Sequence, residues 1–295
     1  MPSLTELARE ILRNAELIED TNTISSPDVG EARIALLNAT HRLTIEAQPP
    51  TSYLFSQLWS ITDTFALRTI YALKLPQHVP HADSIPYSTL STLVGVPVDK
   101  LTRLIRYAVT LGFFTEPTPS HVAHSDTSRL LATNPDAFDA MGMILNELGP
   151  ATHAFPDALT RFGTSEEPNE TAYNIANKTD LGIYDFLAQN PERGRRFGGA
   201  MRLFSGDGGS YIQQLLSAFP WTSPTHDRED FVVVDVGGGH GSVSVKLAET
   251  TKSMRFVVQD MAPQVQEGRR LLPEKLEGRV EFQVHDFFHR AKGAG

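Results

Sequence analysis

Residues 231–241 read FVVVDVGGGHG, an unbroken apolar run that meets a glycine-rich turn. Phe231, Val232, Val233 and Val234 show no polar alternation. A short β-branched run of this kind predicts a central strand buried on both faces of a parallel sheet. Asp235 ends the run, and Gly237, Gly238, Gly239 and Gly241 supply backbone that turns sharply and approaches a ligand with no Cβ in the way. Such a junction suits the holding of a nucleotide-like cofactor.

Spacing decides which cofactor. A dinucleotide fingerprint needs G-x-G-x-x-G, its third glycine allowing close packing of helix on strand. Gly237 and Gly239 fill the first two places, but Ser242 stands in the third. The pattern is instead acid-x-G-x-G-x-G, from Asp235 through Gly237 and Gly239 to Gly241. A second predicted strand, residues 255–259 (RFVVQ), ends in Asp260, at about the ~20-residue distance of an acid that hydrogen-bonds ribose hydroxyls. A third, residues 279–284 (RVEFQV), runs into His285, Asp286, Phe287 and Phe288. Taken singly, the glycines also suit a tight turn in another α/β protein, Asp260 a solvated strand-end acid, and Asp286 with Phe287 a turn acid beside a core aromatic.

Taken in order, DVGGGHG, VVQD and RVEFQVHDFF resemble motifs I, II and III of the class I S-adenosylmethionine-dependent O-methyltransferases, the small-molecule type of plants and fungi. The resemblance covers roughly residues 30–294. It implies S-adenosylmethionine as cofactor, held by Asp235, Gly237, Gly239, Gly241 and Asp260, with Asp286 and Phe287 at the adenine and Ser205 also touching the cofactor. It places Met141, Asn146, Phe197 and Met201 against the acceptor. It further implies an α/β fold with a mainly α N-terminal part, in which helices interlock with a second subunit to give a homodimer. Three regions follow: a helical and winged-helix dimerisation domain over 1–133, substrate-lining helices and linker over 134–222, and a partial Rossmann-like domain over 223–295.

With 295 residues, the chain suggests two domains on length alone. A net charge of -9 argues against nucleic acid or an anionic membrane surface as the main partner. The absence of cysteine removes disulfides, thiolate nucleophiles and cysteine metal sites. No residue cluster suggests a metal. The first twenty residues lack a basic region followed by an apolar one, so a cytoplasmic protein is expected.

Leu4, Leu7, Ala8, Ile11, Leu12, Ala15 and Ile18 recur at helical spacing over residues 3–19, and Val29, Ala32, Ala35, Leu36, Ala39 and Leu43 predict a second helix ended by Pro49 and Pro50. Residues 64–75, 87–94 and 98–111 predict short helices, and 115–128 has the composition of a wing. A winged helix reads first as DNA-binding, with Lys100, Arg103 and Arg106 on the recognition helix. Three bases in an acidic chain make a thin electrostatic footprint, so a dimerisation module is the preferred reading. Residues 134–162 and 171–205 are helix-forming, with methionines and aromatics suited to a planar organic substrate or simply to a core. Residues 220–230 (PWTSPTHDRED) predict the link into the glycine-motif strand.

After Phe288 the sequence reads HRAKGAG. The family pattern continues into a fourth strand and a histidine that takes the acceptor's hydroxyl proton, so that base has no counterpart here. His153, His240 and His285 fit structural roles better. Three strands alone are expected to leave Val232–Val234 on an exposed edge, which reads as a fragment, as an edge covered by another chain, or as a naturally short protein. The expected function is O-methyltransferase-type chemistry on a phenolic or polyketide-like small molecule, with little turnover by this chain alone. The alternatives are a methyltransferase-like protein that steers a cyclisation, dehydration or pericyclic step, and a non-catalytic partner subunit.

Overall fold

The computed structural model describes residues 2–20, 27–205, 215, 216 and 218–286. Helices α1 (Leu4–Asp20) and α2 (Pro27–Ala47) pack along one another, and Leu7, Val29, Ala32 and Ala39 are buried. A reciprocal cap starts α1: the Ser3 amide donates to Glu6 at 2.6 Å, and the Glu6 amide to Ser3 Oγ at 3.2 Å. Helices α3 (Pro50–Trp59) and α4 (Ile61–Ala72) follow. Helix α4 begins before the expected 64 and stops before 75, because Lys74 takes a left-handed φ of 49°.

The next elements are α5 (Leu75–His78), β1 (Ile85–Pro86), α6 (Tyr87–Val94), α7 (Val98–Thr110) and β2 (His121–Val122). Strand β1 pairs antiparallel with β2, Ile85 opposite Val122, which gives the expected wing. Gly95, at φ 68°, ends α6 where a side chain would be strained. Ile70, Leu75, Leu90, Leu101, Ile105 and Val122 are buried together as the core. On α7, Arg106 makes a paired contact to Glu116 at 2.9 and 2.9 Å, and Arg103 meets Asp99 at 3.5 Å. Arg106 is thus held by an acid, while the Arg103–Asp99 pair is long and exposed.

Beyond β2 come α8 (Asp126–Thr133), α9 (Pro135–Met143), a π turn (Ile144–Leu148), α10 (Gly149–His153), α11 (Phe155–Phe162), α12 (Ala172–Asn177), α13 (Ile183–Gln189) and α14 (Pro191–Ser205). Asn134 caps α9 by accepting from the amides of Asp136 and Ala137, and Pro135 sits where no amide is needed. Helices α9 and α14 pack closely through Ala140, Met143 and Ala200.

The last unit holds β3 (Val232–Val236), α15 (Ser242–Thr250), β4 (Arg255–Asp260), α16 (Ala262–Leu271) and β5 (Val280–Val284). The strands are parallel in the order β3-β4-β5. Phe256, Val258, Val280 and Phe282 pack against Leu247 and Val265 of the two helices. The fold is therefore α/β with a helical N-terminal part, as expected.

One expectation is corrected. Strand β3 is not central among the described residues but lies at the edge, and Val232, Val234 and Val236 are 46%, 52% and 55% exposed. Only Phe231, Val233 and their neighbours on the other face join the core. Phe231 and Gly237 bond to β4 through their carbonyl and amide respectively, so the alternate residues 232, 234 and 236 direct their backbone groups away from it.

Two measurements follow. In amide hydrogen exchange, Val233 and Asp235 should be protected while Val232, Val234 and Val236 exchange freely. His124 is buried, with Nε2–H donating to the Val79 carbonyl at 3.1 Å and Nδ1 accepting from Ser128 at 2.9 Å. Burial pushes its imidazole below the ordinary 6.5, so folded His124 resists a proton that the unfolded chain accepts. Stability should be unaffected by this group above about pH 6.5 and fall as the pH drops below it, and melting of the chain beside a His124→Gln variant should show that part of the slope vanish in the variant.

Candidate cofactor site and acceptor helices

Strand β3 delivers Asp235, whose carboxylate accepts from the Ser244 hydroxyl at 2.7 Å on the first turn of α15. The amides of Gly237 and Gly238 donate to the Gln259 carbonyl at 2.7 and 3.3 Å, which fastens the turn to β4. Gly237, Gly239 and Gly241 have φ of 73°, 59° and 79°, in the left-handed region. Their neighbourhoods differ. A Cβ on Gly238 would lie 2.6 Å from the Asp235 carboxyl carbon, and one on Gly241 would lie 2.9 Å from the Phe282 ring. These two glycines serve internal packing. A Cβ on Gly239 would instead meet nothing within 4 Å.

The Gly239 amide donates to Asp260 Oδ2 at 2.8 Å, and Asp260 Oδ1 accepts from the Met261 amide at 2.7 Å. The first two motifs are thereby joined across the sheet. The His285 amide donates to the Asp260 carbonyl at 3.0 Å, which sets partly buried Asp286 just past the end of β5. Asp235, the glycine turn, Asp260 and Asp286 thus all sit at the carboxyl ends of parallel strands, the ligand crevice of open α/β sheets. Phe287 lies outside the described residues. Ser205 is the last residue of α14, and its side chain is likewise outside them.

Two residues escaped the sequence reading. Ser244 holds Asp235, and its position one turn into the helix after the glycines was the available signal. Met261 follows Asp260 directly and is 52% exposed, an apolar side chain beside the strand-end acid.

The four acceptor candidates do not converge. Phe197 and Met201 join Ala140, Met143 and Ala200 between α14 and α9, with Tyr184 edge-on to Phe197 at 6.2 Å. Met141 packs instead against the core of the winged-helix part. Asn146, on the π turn, accepts from Arg68 Nε at 3.1 Å. Charged pairs fasten this region: Arg202 to Asp136 at 2.7 Å, Arg195 to Asp139, and Arg196 to Glu147 at 2.9 Å. Glu147 is buried, and the i→i+5 bond from the Gly149 amide to Ile144 marks the extra residue of the π turn that carries it. Burial pushes the Tyr71 hydroxyl above its ordinary value, with the Arg196 guanidinium opposing the shift.

Of the histidines, His153 is exposed with Nδ1 2.8 Å from the Gly149 carbonyl, His240 is exposed in the glycine turn, and His285 sits at a strand end. Each belongs to a different element. Among the described residues, no group of three metal-ligating side chains converges, and no helix is long and apolar enough to cross a membrane.

No family model matches the chain. It is 32% identical over 266 residues to O-methyltransferase VdtC of Byssochlamys spectabilis, a match covering 88% of the chain and 60% of that relative. It is 31% identical to O-methyltransferase AMT9 of Alternaria alternata, over 97% of the chain and 70% of the relative. The chain belongs to the O-methyltransferase family. This O-methyltransferase-family chain spans 60% to 63% of the length of VdtC and of the Aspergillus oryzae relative aoiF. Its fold is that of LepI, solved with SAM (TM-score 0.66, 20% identity, 97% of this chain and 71% of that one). It is equally that of OxaC, solved with sinefungin and meleagrin, and of a structure described as a pericyclic reaction enzyme; each has a TM-score of 0.67 and 20% identity. Each covers 98% of this chain, with 72% of OxaC and 73% of the other.

Arg196→Met would leave Glu147 buried without its partner. Its unfolding free energy should fall by about 3 kcal/mol, read as a lower denaturant midpoint.

Proposed function

We propose that this chain binds S-adenosylmethionine at the glycine turn and presents α9 and α14 to a phenolic or polyketide-like acceptor. The observation that carries the reading is Gly239. It faces open space at a left-handed φ, with its amide tied to Asp260, so the loop is closed toward the protein and open toward a ligand. The residues present fit the cofactor. Asp260 keeps lone pairs for ribose hydroxyls, Met261 offers an apolar surface to the adenine, and Asp286 stands at the neighbouring strand end for the base's edge. S-adenosylmethionine, when bound, supplies a methyl group on a sulfonium. The chain's own part is to orient cofactor and acceptor and to exclude water between them.

Removal of the acceptor's hydroxyl proton needs a base within hydrogen-bond reach, and His153, His240 and His285 stand on three separate elements. The purified polypeptide is accordingly expected to bind cofactor and to turn over poorly by itself. The second reading keeps the pocket and drops methyl transfer in favour of orienting a cyclisation or pericyclic step; it draws support from the fold shared with the pericyclic enzyme. In either case a homodimer is proposed, supported by Leu54, Phe55, Leu58 and Trp59, which α3 leaves exposed. The setting proposed is cytoplasmic.

Calorimetric titration of S-adenosylhomocysteine into the chain tests the site. Micromolar binding is expected, weakened by about 10- to 100-fold in Asp260→Ala, in line with the loss of hydrogen bonds to a charged group. A folded chain that binds nothing, or an Asp260→Ala variant that binds as tightly, would remove the proposal. Light scattering on the same sample should give twice the chain mass. S-adenosylmethionine binding with no methyl acceptor among phenols would favour the second reading.

A further inference from the structure

Strand β3 carries little information about its own register. Val232, Val233 and Val234 stand opposite Arg255, Phe256 and Val257 of β4, and Val236 stands opposite Gln259. A slip of two residues keeps every side chain on its own face. It would set Phe231 opposite Phe256, Val232 opposite Val257 and Val233 opposite Val258, apolar on apolar throughout. Asp235, the polar residue of β3, bonds to Ser244 of α15 and not to β4. The ladder by itself therefore leaves β3 more than one place to settle.

The link that precedes β3 supplies an anchor. The amides of Lys252, Ser253 and Met254, in the turn that leads into β4, donate to the Asp227 carboxylate at 2.8, 2.7 and 3.1 Å. Bonds from Ser253 and Lys252 above all hold that carboxyl below its ordinary value. The same turn is gripped through its carbonyls: Arg279, just before β5, donates to Ala248, Thr251 and Met254, each at 3.0 Å. Between Asp227 and β3 the chain has little slack. The Phe231 amide donates to the Arg228 carbonyl at 3.1 Å, and the Phe231 ring meets the His226 ring edge-on at 5.4 Å. Asp227 thereby ties the entry of β3 to the entry of β4. At the far end of the same two strands the Gly239 amide meets Asp260 at 2.8 Å. A two-residue slip moves β3 about 6–7 Å along β4, well beyond the reach of that bond.

We propose that Asp227 is a positioning residue for the cofactor site: by pinning the two strand entries together it sets the register that brings Gly239 to Asp260. It touches no ligand and no reacting atom, since it stands at the amino ends of strands whose carboxyl ends form the crevice. This rests on the cofactor reading above, and it assigns to the link 220–230 a part in forming that site.

The test joins calorimetric titration of S-adenosylhomocysteine to residue-resolved amide exchange on the full chain. Asp227→Ala should weaken binding about 10-fold, as when one molecule in ten keeps the competent register. Without ligand, the Gly239 amide should lose its protection in that variant while Val233 and Asp235 keep theirs, because a strand slipped by two is still paired. Asp227→Asn, which retains one acceptor oxygen, should fall between Asp227→Ala and the unaltered chain. Ile105→Ala, in the core of the winged-helix part, lowers stability away from the strands and should bind as the unaltered chain does. Unchanged binding in Asp227→Ala, an equal loss in Ile105→Ala, a Gly239 amide that stays protected, or joint loss of protection at Val233, Asp235 and Gly239 would overturn the assignment. Should Asp227→Ala not fold, Asp227→Asn carries the same comparison. Absence of binding by the unaltered chain would instead count against the cofactor site, and the exchange pattern without ligand still decides the anchor.

Discussion

The bond from the Gly239 amide to the Asp260 carboxylate is the link on which the cofactor end of the molecule depends. It joins two consecutive strands at the point where each has just run out of ladder partners, and it closes the glycine turn over a gap that no side chain fills. Around it the remaining contacts are arranged in support. Ser244 holds Asp235 from the helix side, the Gln259 carbonyl gathers the amides of Gly237 and Gly238, and Phe282 packs where a Cβ on Gly241 would otherwise stand. The Asp260 carboxylate is thus already placed by the fold, and a ligand that used it would meet no further ordering cost there.

The helical half achieves precision by a different route. Helix α9 approaches α4 so closely that a Cβ on Gly142 would lie 2.3 Å from the Tyr71 hydroxyl, and α14 so closely that one on Gly199 would lie 2.6 Å from Asp139. Small residues set the distance, and ion pairs set the slide of one helix along the other. The buried pair among them, Arg196–Glu147, adds little net stability but penalises misaligned packing, because a slip leaves a buried charge without its partner.

Much of the cofactor end was legible in the sequence, since glycine spacing, strand-end acids and β-branched runs are local signals with local causes. The short helices and wing of the amino-terminal part were legible for the same reason, down to the 87–94 bounds of α6. The valine run by itself pointed to the centre of the sheet, although such a run looks the same at centre and edge; the edge position of β3 was legible only from counting the strands that follow it. The π turn was hidden too: ILNEL carries no feature that departs from ordinary helix. Nor did any pattern announce the pairs Arg196–Glu147 or Arg202–Asp136, whose partners lie 49 and 66 residues apart. The scatter of Met141, Asn146, Phe197 and Met201 over different surroundings has the same origin. Each was read from its place along a helix, and the facing side depends on the neighbours.

The open face of the sheet carries a further consequence. Its exposed valines are those of β3, beside half-buried Val257 of β4, while β4 and β5 meet there through the Arg255–Glu281 ion pair at 2.9 Å and the Gln259–Gln283 amide contact at 2.6 Å. That face is dry on one side and wet on the other, so strand alignment is policed twice, by polar partners that must meet and by Asp235, which a one-residue slip would carry to the wrong side. The same slip would draw the glycine turn out of reach of Asp260. The accuracy with which a ligand is gripped at the strand ends is therefore inherited from side-chain matching along the whole length of the strands.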